Sequence, residues 1–187
     1  MKGVTKVTLC LLCFSSATYA NTFTDLFSGI TIGAGYASDI TQNATLGGYT
    51  IYSQGYILPS MKDYLFTDFR MSSTSNTEYY SFDNSLTFDK LDVDLKRYQA
   101  SIGMGYPFEV ADSIIVKPYV TAGWSWDKGT VNNDTYHESA TYHDDSFLAS
   151  VGVRGEFGEH VVAGVGYSKE SSGLDLGQWT LDVGYRF

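Results

Sequence analysis

Apolar and polar residues alternate along most of the chain after residue 29. The carboxyl-terminal segment shows this best, because every second residue is apolar and the residues between are polar or glycine. Its apolar members are Trp179, Leu181, Val183, Tyr185 and Phe187. A period of two is that of a β-strand with one apolar and one polar face. The same alternation predicts five more strands, which contain Ile30, Tyr98, Val120, Phe147 and Val161.

Two weaker alternating segments, at about residues 49–58 and 64–71, complete a set of eight strands. The connections between strands are alternately short and long. The short ones are residues 58–62, 107–113 and 158–160, and the long polar ones are residues 37–48, 72–91, 127–145 and 169–177. Short turns on the periplasmic side and long loops on the extracellular side are typical of bacterial outer-membrane barrels. The sequence therefore predicts an all-β fold, an eight-stranded antiparallel up-and-down transmembrane β-barrel with four extracellular loops.

Aromatic residues lie near the predicted strand ends, where Tyr and Trp rings prefer the two interfaces of a membrane. Trp124, Trp126 and Trp179 come near outer ends, and Tyr185 and Phe187 near an inner end. A soluble β-sandwich with an aromatic core is the alternative, but it does not explain aromatic residues at strand ends. A final Phe two residues after a Tyr is also how outer-membrane barrels usually end, and the barrel assembly machinery reads this ending as a signal.

The first twenty residues have the features of a secretory signal peptide. Lys2 and Lys6 accompany an apolar stretch from Val7 to Phe14, and small residues lead to a cleavage site after residue 20. A membrane anchor is the alternative, but a spanning helix needs about 20 apolar residues. We therefore expect residues 1–20 to be removed on export and residues 21–187 to form the barrel.

Acidic residues outnumber basic ones by 21 to 12, which gives a net charge of −9. This balance argues against nucleic acid as a partner, because phosphate contacts need clustered Lys and Arg. The four predicted loops alone hold eleven acidic residues and only three basic ones, Lys90, Lys128 and Lys169. A negative rim favours a basic protein partner, or divalent cations shared with lipopolysaccharide. Repulsion that merely keeps the rim solvated is an equal alternative.

Charged residues also fall on the polar face of the predicted strands, which is the barrel interior. They include Arg97, Arg154, Glu156 and Asp182. An eight-stranded barrel is only wide enough for its interior to be filled by side chains. Because an unpartnered buried charge is costly, these residues are predicted to form an internal salt-bridge network. An ion-conducting lumen is the weaker alternative.

The two longest predicted loops carry an unusual number of aromatic residues, which are good anchors for a protein interface. The candidate binding residues are Tyr79, Tyr80, Phe82, Phe88, Tyr136 and Tyr142. The alternative, which we rate slightly higher, is that these rings pack against each other on strands that extend above the membrane.

One cluster contains residue types that a catalytic or metal site would need: His137, Glu138, His143, Asp144, Asp145 and Ser146. Neighbouring residues of a strand point to opposite sides, and no sharp-turn nucleophile motif surrounds Ser146. Two histidines with flexible acidic neighbours define no metal geometry. We therefore predict no catalytic residues, no metal site and no cofactor, and keep a lipid A-modifying enzyme as the competing hypothesis.

The carboxyl-terminal half resembles the Ail/OmpX/Lom group of small outer-membrane proteins. The resemblance rests on residues 173–187, with the Gly177-x-Trp179 step and the Val-Gly-Tyr-Arg-Phe ending, and on the spacing of residues 103–106, 118–123 and 150–154. It implies an eight-stranded barrel whose outer strands project beyond the membrane and present loops to host surfaces. It also implies a role in adhesion, invasion or resistance to complement, without catalytic residues.

The residues and the resemblance together predict an outer-membrane barrel that acts in adhesion, colonisation or host interaction, with a role in virulence. The expected partners are outer-membrane lipids and lipopolysaccharide, the barrel assembly machinery, and a host surface or serum protein. We expect a monomer. A purely structural barrel is a further alternative.

Overall fold

The computed structural model describes residues 29–41, 45–61, 63–81, 88–133, 138–171 and 176–187. These residues form nine strands and one short 3₁₀ turn, Pro59–Met61. The strands are β1 (Thr31–Ile40), β2 (Thr45–Tyr56), β3 (Leu65–Ser81), β4 (Phe88–Gly105), β5 (Phe108–Ala111), β6 (Ile114–Asn133), β7 (Glu138–Phe157), β8 (Val161–Glu170) and β9 (Gly177–Arg186). Among these residues, no helix has the length and apolar content that crossing a membrane requires.

Eight of the strands close into a barrel in which all neighbours are antiparallel. Pairing of β1 with β9 joins the two ends of the chain, and pairing of β4 with β6 completes the ring. The predicted eight-stranded barrel is thus confirmed. The remaining strand, β5, was predicted as part of a turn. It forms a small hairpin with the start of β6, and Ser113 takes the left-handed backbone conformation, with φ of 65°, at its turn.

The two faces of the barrel wall are opposite in character to those of a soluble barrel. Large apolar side chains point outward, as shown by exposed fractions of 60% at Ile102, 63% at Leu181 and 59% at Val183. Polar and charged side chains fill the interior. The pattern of β2 and β3 was too irregular to assign faces from sequence, and the structure turns Tyr52 and Arg70 inward.

The strands differ in length around the barrel. Strands β3, β4, β6 and β7 have 17 to 20 residues, whereas β1, β8 and β9 have 10 and β2 has 12. The four long strands are neighbours, so their outer parts form one sheet above the barrel. We call this the projecting sheet and define it as residues 73–81, 88–96, 128–133 and 138–143.

Most of the predicted loops 72–91 and 127–145 are therefore strand, and only residues 82–87 and 134–137 lie between the strand ends. The predicted loops were too long because the polarity of the two faces reverses beyond the membrane while backbone pairing continues. On β4, Leu91, Val93 and Leu95 lie on the inward side, and the residues between them on the outward side are polar. The family resemblance had implied such projecting strands.

One glycine marks where two strands approach closely. A side chain on Gly35 would collide with the backbone of Leu181 and Asp182 on β9. Gly55, in contrast, has open space, and a Cβ atom there would meet only the Thr67 hydroxyl at 3.4 Å. Glycine is thus required at the first position by the contact between β1 and β9, but not at the second.

Candidate functional site: the charged interior and the projecting sheet

Charged side chains inside the barrel form three layers. The inner tier, nearest the short turns, consists of Lys117, Glu156 and Arg186. The Glu156 carboxylate accepts hydrogen bonds from Arg186, with Nη1 at 2.9 Å from Oε2, and lies 3.2 Å from Lys117 Nζ. This tier has two cations for one carboxylate.

The middle tier consists of Asp68, Arg70, Arg154 and Asp182, joined by Gln54. Arg70 Nη1 donates to Asp182 Oδ2 at 2.8 Å, and Gln54 Nε2 donates to Asp68 Oδ2 at 3.2 Å. Arg154 donates to the side-chain oxygen of Gln54. Two arginines and two carboxylates make this tier neutral.

Aromatic rings line the same level. The guanidinium carbon of Arg70 lies 5.1 Å from the ring centre of Tyr52, and that of Arg154 lies 5.1 Å from the ring centre of Tyr119. Cations over ring faces gain electrostatic energy that is larger where water is excluded.

The outer tier consists of one arginine, Arg97, and three carboxylates, Asp39, Asp127 and Glu170. Arg97 Nη1 donates to Asp39 Oδ1 at 2.6 Å, and Arg97 Nε lies 3.1 Å from Asp127 Oδ1 and 3.0 Å from Glu170 Oε1. All four side chains are at most 1% exposed. The hydrogen-bond geometry favours Asp127, and the Glu170 oxygens receive no hydrogen bond from a described residue.

Neutral side chains complete the outer tier. Asp39 also accepts from the Thr74 hydroxyl at 2.5 Å and from Gln178 Nε2 at 3.0 Å. Gln178 donates to Ser72 Oγ at 2.9 Å as well. Asp39 thus has three donors, which explains how its carboxylate is held in a fully buried position.

The four charged residues proposed from sequence all lie in the interior: Arg97 in the outer tier, Arg154 and Asp182 in the middle tier, and Glu156 in the inner tier. The sequence did not single out Asp39 and Glu170, which it assigned to loops, or Arg70, whose strand had no assigned register. The sequence did contain a signal for two of them. Asp39 follows the inward-facing Ala37 by two residues, and Glu170 follows the inward-facing Ser168 by two, so both belong to the inward face of their strands.

The tiers fill the lumen. Two cavities between the interior side chains have volumes of about 10 and 20 Å³, which is room for about one water molecule each. The interior of the described barrel therefore provides a polar plug and not a channel.

The candidate aromatic anchors have different positions. Tyr79 and Tyr80 lie on β3 and Phe88 on β4, within the projecting sheet. Phe82 and Tyr136 lie outside the described residues. The ring of Tyr142 on β7 packs over Gly129, on the inward-facing side of the sheet, and is partly buried. A binding role for these six residues remains a prediction.

The residues considered for catalysis are separated by the alternation of β7. His143 and Asp145 face outward and are exposed, whereas Asp144 and Ser146 face inward. His137 lies outside the described residues. The Ser146 hydroxyl is buried and has no hydrogen-bond partner in the described structure, so no base activates it there. The described residues also contain no group of three His, Cys, Asp or Glu side chains placed to hold a metal ion.

On the projecting sheet, Lys90 and Asp92 form an exposed pair, with Lys90 Nζ at 2.7 Å from Asp92 Oδ2. The Thr77 hydroxyl on β3 donates to the other carboxylate oxygen at 2.7 Å. These two hydrogen bonds, first that of Lys90, lower the pKa of the Asp92 carboxyl below its ordinary value. The contacts tie β3 to β4 beyond the barrel.

A model of the outer membrane protein beta-barrel domain matches residues 7–187. The chain belongs to this family of outer-membrane β-barrels. Its location is accordingly the bacterial outer membrane. The outer-membrane barrel has no significant match among curated proteins.

Solved structures give the same fold. The attachment invasion locus protein Ail of Yersinia pestis is 20% identical, with a TM-score of 0.54 over 86% of this outer-membrane barrel and 99% of Ail. A second Ail structure, in complex with the heparin analogue sucrose octasulfate, gives a TM-score of 0.56 at 20% identity over 84% and 97% of the two chains. Neisserial surface protein A gives 0.51 at 19% identity over 85% and 96%. The predicted resemblance to small barrels of the Ail group is thus confirmed at the level of the fold.

Proposed function

We propose that this outer-membrane barrel mediates adhesion or another host interaction through the projecting sheet and its two hairpin tips. The observation that supports this most is the length of β6, of which seven residues, Asp127–Asn133, follow the girdle residue Trp126. At about 3.4 Å per residue these seven residues carry the sheet roughly 20 Å beyond the membrane interface. A barrel that only sealed the membrane needs no such extension.

The sheet also has two edges without a described neighbouring strand. Pairing of β2 with β3 ends at Gly47 opposite Ser75, and pairing of β8 with β7 ends at Glu170 opposite Leu148. From Thr77 outward on β3 and from Ser146 outward on β7, no further described strand is paired on that side. Such edges accept a further strand from a partner protein.

The charge of this region favours a protein partner over a sulfated sugar. Asp92 and Asp94 lie on the outward face of β4, and the sequence places further acidic residues near both tips. One of the Ail structures holds a heparin analogue, but an acidic rim repels a polyanion. A basic patch on a host surface or serum protein has the complementary sign.

The register allows the outer part of the projecting sheet to be removed without disturbing the barrel. Residues 76–93 are replaced by an Asn-Gly turn between the paired residues Ser75 and Asp94, and residues 131–140 by the same turn between Thr130 and Thr141. Two-residue turns of this type fit antiparallel neighbours. Cells that display the full or the trimmed barrel are compared for binding to cultured host cells and to serum proteins.

We expect the trimmed barrel to fold, as judged by its heat-modifiable mobility, and to lose binding. A matched control instead removes the tip of the periplasmic hairpin formed by β5 and the start of β6, and it is expected to bind as the full barrel does. Equal binding by full and trimmed barrels would place adhesion elsewhere. Absence of binding by both would favour a structural role or lipid modification, and lipid A mass spectra of cells with and without the protein would separate these two.

A further inference from the structure

The projecting sheet has an apolar side that faces inward, over the outer mouth of the barrel. On its strands β4, β6 and β7 the described apolar residues lie on this inward side, and the outward residues between them are polar. Val93 is directly opposite Val131, and Val131 is directly opposite Ala140. Leu91 and Tyr142 lie on the same side. We call these five residues the inner face.

The short strands do not cover the inner face. Leu95, the next inward residue below it on β4, is 2% exposed, as is Leu46 at the outer end of β2. The interior is thus still covered where the short strands end. Beyond that level, no strand among the described residues stands opposite the inner face. Its members are accordingly only partly buried, and Ala140 is exposed.

An apolar surface in this position is not explained by the membrane. Val131 is five residues beyond the girdle residue Trp126, which corresponds to about 17 Å along the strand. Antiparallel sheets commonly pack an apolar face against a core and leave the polar face in water. Solubility alone would favour polar residues on both sides of the sheet. The inner face therefore has the character of a binding surface.

The charged side chains described at the two ends of the inner face are acidic. Asp144 lies below it and Glu138 beyond it, both on the inward side of β7. Asp144 is directly opposite Asp127 of the outer tier, where three carboxylates already share the cation Arg97. That guanidinium therefore does not offset the charge of Asp144. The lysines of the projecting sheet lie on the other, outward side: Lys90, Lys96 and Lys128.

The dimensions of this surface match those of a short helix. Asp144 and Glu138 are six residues apart, or about 20 Å along the strand, and three neighbouring strands span about 10 Å. An α-helix with its side chains is about 10–12 Å wide and rises 1.5 Å per residue. A helix of about 13 residues therefore spans the distance between the two carboxylates.

We propose that the inner face binds a cationic amphipathic helix of the host partner. The apolar side of this helix packs against Val93 and Val131, and lysine or arginine residues at its two ends lie near Asp144 and Glu138. Amphipathic helices bind apolar grooves in this manner, and opposite charges at the ends fix their position. A second copy of the barrel is a poorer occupant, because two inner faces would bring their acidic ends together.

The inference rests on the proposed function, since it names the part of the projecting sheet that receives the partner. The test uses the full barrel in phosphatidylcholine nanodiscs, with empty nanodiscs as the blank. The probe is a labelled synthetic helix of about 13 residues, with lysines at both ends and leucines along one side. Fluorescence anisotropy reports its binding. Two control peptides have glutamate in place of every lysine, or glutamine in place of every leucine.

Matched variants compare the two sides of one strand. Asp144→Asn and Asp145→Asn make the same change at neighbouring residues of β7, of which the first faces inward and the second outward. The double variant Val93→Thr/Val131→Thr makes the inner face more polar at nearly constant shape, and threonine keeps a high preference for strands. Heat-modifiable mobility verifies that each variant is folded.

We expect the lysine–leucine peptide to bind and both control peptides to fail. Asp144→Asn is expected to weaken binding about two- to fivefold, the effect of one partly exposed charge pair, and Asp145→Asn is expected to leave it unchanged. Val93→Thr/Val131→Thr is expected to weaken binding about tenfold, because less apolar surface is removed from water.

Four results would overturn the proposal. Equal binding of the glutamine peptide would assign the association to charge alone. Equal effects of Asp144→Asn and Asp145→Asn would assign it to net charge. Unchanged binding by Val93→Thr/Val131→Thr would place the peptide elsewhere. If no peptide binds and sedimentation shows a dimer that this double variant abolishes, the occupant is a second copy.

The outcome also separates this inference from the proposed function. If the trimmed barrel loses host-cell binding but the full barrel binds no peptide, adhesion stands and the inner face is not its site. If the full barrel binds the peptide but no host cell or serum protein, the inner face is a binding site and adhesion fails.

Discussion

Replacement of Arg97 by methionine is expected to lower the free energy of unfolding by about 3–5 kcal/mol, the usual cost of removing one partner from a buried ion pair. Arg97 is 1% exposed, and it is the cation that Asp39, Asp127 and Glu170 share at 2.6 to 3.1 Å. Methionine is a long, flexible side chain that fills much of the same space. The loss is therefore electrostatic, because three carboxylates remain buried without a cation.

The assay is reversible unfolding by urea in lipid bilayers, followed by tryptophan fluorescence, with the free energy taken from linear extrapolation. Lys90→Met is the control, since it breaks the pair with Asp92 at 2.7 Å, whose members are 40% and 28% exposed. An exposed pair contributes at most about 1 kcal/mol. If Arg97→Met costs no more than this control, the outer tier does not depend on its guanidinium and the reasoning is refuted.

The composition of the outer tier predicts that a second substitution, Glu170→Gln, stabilises the Arg97→Met variant. The tier holds three carboxylates for one guanidinium, and the Glu170 oxygens receive no hydrogen bond from a described residue. Glu170→Gln replaces a group that can carry negative charge by a neutral amide of nearly the same shape. It is expected to recover part of the stability that Arg97→Met loses. Failure of the double variant to exceed Arg97→Met in stability would show that repulsion among the carboxylates is not the cause.

Three more changes test other parts of the barrel. Gly35→Ala is expected to lower the free energy of unfolding by about 1–3 kcal/mol in the same urea assay, because its Cβ collides with β9. Gly55→Ala is expected to change it by no more than about 0.5 kcal/mol. Equal changes for the two variants would contradict the collision. The pKa of the Asp92 carboxyl, measured by NMR titration, is expected to lie below its ordinary value. The ionised carboxylate therefore stabilises the fold above the ordinary pKa, and this contribution is lost as the pH falls through the lower pKa of the folded state. Lys90→Gln is expected to raise the pKa of Asp92 again. Phe187→Ala is expected to reduce the amount of barrel in outer-membrane fractions while the purified chain still refolds, and unchanged amounts would show that assembly does not read this residue.

The sequence was sufficient for the barrel because membrane and interior impose opposite demands on alternate residues. Ile102 and Met104 face lipid and Gly103 faces inward, so hydrophobicity itself follows the strand. The prediction failed where that contrast ends. In the projecting sheet the outward face is polar, so the pattern there resembles that of a loop although residues such as Thr130 and Asn132 are paired.

Contacts between side chains on opposite sides of the barrel could not be predicted from the sequence, for a different reason. Arg97 and Asp39 are 58 residues apart, and Gln178 and Asp39 are 139 apart. Which strands face each other at one height depends on the stagger of the whole ring. The charge of the interior could be predicted from strand periodicity, but its division into three tiers required the register. The same holds for Lys96 and Lys128, which lie directly opposite each other on β4 and β6 although 32 residues separate them.

The filled lumen also matters for the cell that carries this protein. An open pore adds permeability with every copy, so the abundance of a porin is limited by what the envelope can lose. Among the described residues, the two interior cavities hold about one water molecule each, which is too little space for the passage of nutrients or antibiotics. A higher copy number is therefore expected to display more projecting sheets without adding open pores to the membrane.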